Sequence, residues 1–199
     1  MATISKIRIA NMALSNVGAR SSIESFTEGT AESNEAELWY DYSRLQTLEV
    51  YDWSFARKRL TLATHSDDPP AQWAYRYQYP SDCVSFRKIA NPAGNNQPAI
   101  PFEIETDDNN ETKSILTNLD DAVGVFTFDL ETVALFSPFF VEMFSFALAS
   151  HIAMALTGKL KVREAMVATF GSLQRAAPAT NANERVGEAP KDADWVEGR

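Results

Sequence analysis

Residues 137–158 read S-P-F-F-V-E-M-F-S-F-A-L-A-S-H-I-A-M-A-L-T-G, and they limit what this chain can fold into more than any other stretch. The segment carries the marks of a helix. Ser137 is a good N-cap, Pro138 suits the first helical position, and Gly158 suits the left-handed residue just past the end. Between those marks Phe139, Phe140, Val141, Met143, Phe144, Phe146, Leu148, Ile152, Met154 and Leu156 leave no polar side. A helix apolar all round must be surrounded, by lipid or by the rest of a fold. Its length would span a bilayer. Glu142, His151, the scattered Ser and Ala, and the lack of an aromatic belt or flanking Lys/Arg bias point instead to a buried core helix. The run Ala147, Ala149, Ala153, Ala155 permits close approach by neighbouring helices.

A chain of 199 residues can build one sizeable core around such a helix. Its net charge of −9 weighs against strong sequence-independent DNA binding, which draws its energy from cations that displace counterions. The single cysteine, Cys83, leaves no intrachain disulfide and agrees with synthesis in a reducing cytoplasm. The opening M-A-T-I-S-K-I-R-I-A lacks the unbroken apolar run of a signal peptide.

Taken in order, Thr3 caps a first helix that ends at Gly18, with Ile7, Ala10, Leu14 and Val17 as its buried stripe and Lys6 and Arg8 facing out. Ile23 and Phe26 anchor the loop that follows. Thr30 or Ser33 opens a second helix, with Glu32, Glu35 and Glu37 at its favourable end and Leu38, Tyr42, Leu45 and Leu48 as its apolar face. Trp53 and Phe55 pin a turn into the core, while Arg57, Lys58 and Arg59 are left as a basic edge open to solvent, DNA or an acidic partner. From residue 60 to 128 the period changes to alternation. Trp73, Tyr75, Tyr77 and Tyr79 read as a half-buried strand ended by Pro80, and further strands are expected at 83–89, 102–105, 113–117 and 123–128. An exposed loop covers 91–98, and 107–111 forms a hairpin turn. A last helix is expected from about Leu160 to Ala177 on the stripe Val162, Met166, Phe170, Leu173. The expected fold is α+β: a mainly helical bundle around the buried helix, an inserted small antiparallel β-sheet, and an extended C-terminal tail. One domain spans 1–177, with bundle segments 1–60 and 137–177 and the β-rich insertion at 61–130, and a flexible tail occupies 178–199. Trp195 and Val196, set in that polar tail, read as a binding anchor.

Little points to catalysis. His65 sits in a turn cluster, and His151 on the apolar helix reads as a histidine hydrogen-bonded to its neighbours. Cys83 has no histidine nearby, there is no G-x-S-x-G, and phosphate and dinucleotide glycine patterns are missing. Asp107-Asp108-Asn109-Asn110-Glu111 lacks the glycine and spacing of a calcium loop. The expectation is no catalytic residue, no metal and no cofactor.

The order of the signals is more specific than any one of them. Asn16-Val-Gly18 precedes Ile23-Glu-Ser-Phe26-Thr-Glu-Gly-Thr30, then Tyr40-Asp41-Tyr42-Ser43-Arg44 and Asp52-Trp53-Ser54-Phe55-Ala56. Next come Tyr77-Gln78-Tyr79-Pro80-Ser81-Asp82-Cys83, Leu135-Phe136-Ser137-Pro138-Phe139-Phe140-Val141-Glu142, and Leu156-Thr157-Gly158. Over roughly residues 4–177 this series resembles the tail tubular protein A family of tailed bacteriophages, the head-to-tail adaptors beneath the portal. The resemblance implies a virion protein at the head–tail junction, made in the host cytoplasm. It would form a homo-oligomeric ring, commonly a dodecamer, between the portal and a downstream tail or nozzle protein, with DNA passing through without sequence-specific binding and no membrane contact. On that reading Trp195, Val196, Asp192, Asp194, Lys159, Lys161 and Arg163 are expected toward the portal. Trp39, Tyr40, Arg57, Lys58, Arg59, Asn95 and Asn96 are expected at subunit or tail contacts. The alternatives are a virion-associated polysaccharide hydrolase, which needs a carboxylate pair in a cleft, and a small module that binds a peptide along the 73–79 edge.

Overall fold

The computed structural model describes residues 4–94, 97–108 and 111–182. Four helices and two small three-stranded antiparallel sheets make an α+β fold. Helix α1 (Lys6–Asn16) is capped by Ser5, whose hydroxyl accepts from the Arg8 amide; Thr3 lies outside the described residues. Helix α2 (Ala31–Val50) starts at Thr30, whose hydroxyl accepts from the Ser33 amide at 3.1 Å. Between them the Asn11 side chain brackets the Ile23 backbone with bonds of 2.9 and 2.8 Å, which seats Ile23 in the core.

Helix α3 (Pro138–Thr157) has the expected bounds, with the Ser137 cap and Gly158 at φ 63°. It is the hub of the bundle, and α1, α2 and α4 (Leu160–Ala182) all pack along it. Phe140, Met143, Phe144, Ala147, Leu148, Ala149, Ile152 and Ala153 are fully enclosed. Long and apolar enough to cross a membrane by composition, α3 is here mostly surrounded by protein. Trp53 enters the same core just before the 3-10 turn Ser54–Ala56, its indole N–H donating to the Thr47 carbonyl at 2.9 Å.

Two expectations about the helices are corrected. The last helix continues through Pro178 to Ala182, so the tail does not begin at 178. A proline this close to the end removes only one late ladder bond, and buried Ala177 holds the turn against the core. The inward face of α2 is Ser33, Ala36, Tyr40, Ser43, Arg44, Thr47 and Leu48, not the stripe of large residues; of that stripe only Leu48 is buried. Small residues win because they let α2 approach the Ala-rich α3 closely, and the gain in packing exceeds that from burying a few larger side chains at a distance.

The β-rich unit begins at Arg57 rather than 61 and makes two sheets, not one. Strands β1 (Arg57–Thr61), β6 (Val123–Phe128) and β3 (Cys83–Ile89) form one sheet in the order β1-β6-β3. Strands β2 (Tyr75–Gln78), β5 (Lys113–Thr117) and β4 (Phe102–Thr106) form the other in the order β2-β5-β4. Single bridges, Thr64 to Tyr77 and Ile89 to Ile100, link the two at both margins. Leu62, Tyr77, Phe86, Ile89, Ile115, Ala122 and Phe126 fill a second core between the sheets. Gly124 leaves room for that packing, because a Cβ would lie 2.7 Å from the Phe86 ring and 2.9 Å from Leu62 and would force them to shift.

Two arginines fasten this unit to the bundle. Arg44 of α2 is buried and binds Asp129 and the Leu130 carbonyl just beyond β6. Arg87 of β3 donates to the carbonyls of Leu48, Glu49 and Tyr51, which the end of α2 leaves without helical partners. Burial lowers the Arg87 pKa, yet the guanidinium is held by those carbonyls and by the Thr127 hydroxyl, to which its Nε donates at 2.9 Å.

Candidate assembly surface

Once its small residues face α3, α2 must present its larger apolar ones outward. Leu38, Tyr42, Leu45 and Glu49 recur at helical spacing on one side, and Leu38 and Tyr42 are 67% and 55% exposed. Trp39 is half-buried beside them and stacks on His151 of α3 with ring centroids 4.7 Å apart. Tyr42 meets the same imidazole edge-on at 5.3 Å, and Gln46 Oε1 lies 3.2 Å from its Nε2. Burial in this layer pushes the His151 pKa below the usual histidine value, and the nearby charge of Arg163 adds to the shift. His151 is thus a satisfied, largely neutral member of an aromatic layer.

Helix α4 has a comparable outer strip. Its inner side follows the expected stripe, with Phe170 buried and Val162, Met166 and Leu173 partly so. On the outside Leu160 and Val167 are 55% and 50% exposed, with Arg163 between them on the same side. Lys159 and Lys161 flank Leu160, and the three cations make no ion pair with another described residue. Below the α2 strip lies a groove of about 480 Å³ whose walls include Tyr42, Leu45 and Val84 and whose polar rim includes Glu49 and Asp82.

Tyr40 is corrected as a contact residue. It is 3% exposed, packed edge-on against Phe144 and Phe26, and its hydroxyl pKa is raised by burial, so it belongs to the core. Arg57 donates twice to Asp52 at 2.8 Å, and Lys58 reaches Asp82 at 2.6 Å, so two of the three basic-edge residues are already paired within the chain. Arg59 is exposed on β1. Trp195, Val196, Asp192, Asp194, Asn95 and Asn96 lie outside the described residues. The outer strip of α4 was missed by reading the sequence for one buried stripe per helix; the available signal was the surplus of large apolar residues that the stripe did not use.

The groups considered for catalysis each have partners close at hand, and His65 Nδ1 lies 3.7 Å from the Asp67 carboxylate. His65 Nδ1 accepts from the Asp67 amide at 3.1 Å. Cys83 sits beside Tyr79, and burial raises its thiol pKa, which disfavours the nucleophilic thiolate. Asp107 accepts from the Thr112 hydroxyl and from the Glu111 and Thr112 amides, the bonds of a hairpin turn, and these lower its pKa. Among the described residues no three His, Cys, Asp or Glu side chains gather where they could hold a metal ion.

The chain matches no protein-family model, and it matches no sequence among the curated proteins.

Proposed function

We propose that this protein is a structural head-to-tail adaptor of a tailed bacteriophage, related to the tail tubular protein A family, which assembles as a ring between portal and tail and surrounds the DNA passage. The observation that carries the reading is where the ordered motifs fall: they are the joints of the fold. Thr30 caps α2, Arg44 clasps the segment after β6, and Trp53 closes the turn into β1. Ser137-Pro138 opens the hub helix and Gly158 ends it. Motifs spent mostly on architecture, with Asp41 and Tyr42 left at the surface, agree with a protein whose task is its shape. The outward apolar strips on α2 and α4 supply surfaces for neighbours. The acidic balance of the chain suits a passage that must not hold DNA, since like charge repels the phosphate backbone. Trp195, Val196, Asp192 and Asp194 are the residues assigned toward the portal.

Electron microscopy of the purified protein mixed with the portal of the same phage tests this. A ring stacked coaxially on the portal is the expected result. A persistent small monomer that ignores the portal, or glycan cleavage lost on changing one carboxylate while the fold is kept, would replace the adaptor reading.

A further inference from the structure

We infer that the outer strip of α2 on one copy of the chain docks on the outer strip of α4 on a second copy. This rests on the self-assembly part of the adaptor reading and is independent of the portal. The α2 strip combines Leu38, Tyr42 and Leu45 with Asp41 and Glu49. All other charged residues of α2 are acidic except Arg44, which is buried and neutralised by Asp129. The α4 strip combines Leu160 and Val167 with Arg163 on one side and Glu164 on the other, and Lys159 and Lys161 border it, which leaves it net positive. Each strip is an apolar ridge, the first bordered by carboxylates and the second net positive. Two α2 strips would set carboxylate against carboxylate, and two α4 starts would set cation against cation. Only the mixed pairing buries both ridges and brings opposite charges to the rim.

The chain's own residues 183–199 are the competing occupant. With five carboxylates against three cations they share the sign of α2, so they would be repelled from its strip. The groove of about 480 Å³ beside Tyr42 and Leu45, with Glu49 on its rim, gives the incoming helix an edge against which to register. His151, Trp39 and Tyr42 hold the α2 strip rigid through their ring contacts, so little side-chain freedom remains to be lost on docking.

The test is sedimentation velocity of the full chain over a wide concentration range, at low and high salt. Wild type is expected to self-associate more weakly as salt rises. Glu49→Lys and Arg163→Glu, both at exposed positions, should each weaken association about tenfold or more with circular dichroism and melting unchanged. The two variants mixed, or both changes in one chain, should restore it, because each reversed strip then meets its complement. Leu160→Ser should weaken association without changing its salt dependence. Association that survives both single reversals, fails to return in the mixture, or disappears on deleting 183–199 alone overturns the pairing, as does a wild type that stays monomeric throughout. Assembly that stops at two copies supports the pairing and removes the ring, whereas rings on the portal that ignore both reversals keep the adaptor and remove the pairing.

Discussion

At the scale of single residues, the fold depends on a few positions where size or charge admits one solution. Gly124 is the clearest. The Phe86 ring occupies the space a Cβ would need, with Leu62 on the other side. Gly124→Ala forces that enclosed core to shift, and a loss of about 1–3 kcal/mol in chemical denaturation is expected. Arg44 shows the opposite economy, a cation buried because its partners were waiting. Arg44→Leu would strand Asp129 and the Leu130 carbonyl. Since the Asp129 side chain keeps 37% of its exposure, water can repair part of the damage, and a loss of about 1–3 kcal/mol is expected, below that of a fully buried pair. An unchanged denaturation midpoint in either variant would remove the residue from this account. Neither role was legible beforehand. For Arg44, nothing local says that Asp129, far along the chain, would meet it.

At the scale of elements, the regular ones were legible where local chemistry decides. Strands β3, β5 and β6 begin and end where alternation and turn residues placed them, and α3 lies between its cap and its glycine. The pairing of β4 with β5 was legible from the turn between them. The other strand partners were not, since alternation gives a strand two faces but does not name its neighbour; hence two sheets where one was expected. The orientation of α2 failed for a different reason. Its large residues were assigned inward by hydropathy, but the Ala-rich side of α3 selects Ala36, Ser43 and Thr47 by shape. The layer this rotation creates has a pH signature. The folded chain depresses the His151 pKa below its ordinary 6.5, so the unfolded chain binds a proton more readily. Stability is therefore complete above that value and falls as the pH drops below it toward the folded pKa. His151→Gln keeps a polar partner for Gln46 and should flatten this part of the pH profile in urea titrations. An identical slope in the variant would assign it to other groups.

At the scale of the whole molecule, the chain is a helical bundle and a β-rich unit with separate cores, fastened by Arg44 and Arg87. Because α4 reaches Ala182 and buries Ala177, a truncation at 178 would cut a working helix. Removal of 183–199 spares every described contact, so the melting temperature should stay within a degree or two, roughly, while attachment to the portal is lost. Portal binding at full strength by the shortened chain would move that contact onto the folded body. The β-rich unit joins the bundle through adjacent strands: Arg57 at the start of β1 pairs with Thr127 near the end of β6. The crossing points into and out of the unit are thereby tied side by side. Closing a loop of this length costs entropy that grows only slowly with its size, and here the strand pair bears that cost. To α2 and α3 the whole unit acts as a short turn. Its strands lie in one contiguous segment, so it can form before the helices meet. When it does, it delivers the two ends of the bundle to each other already in place.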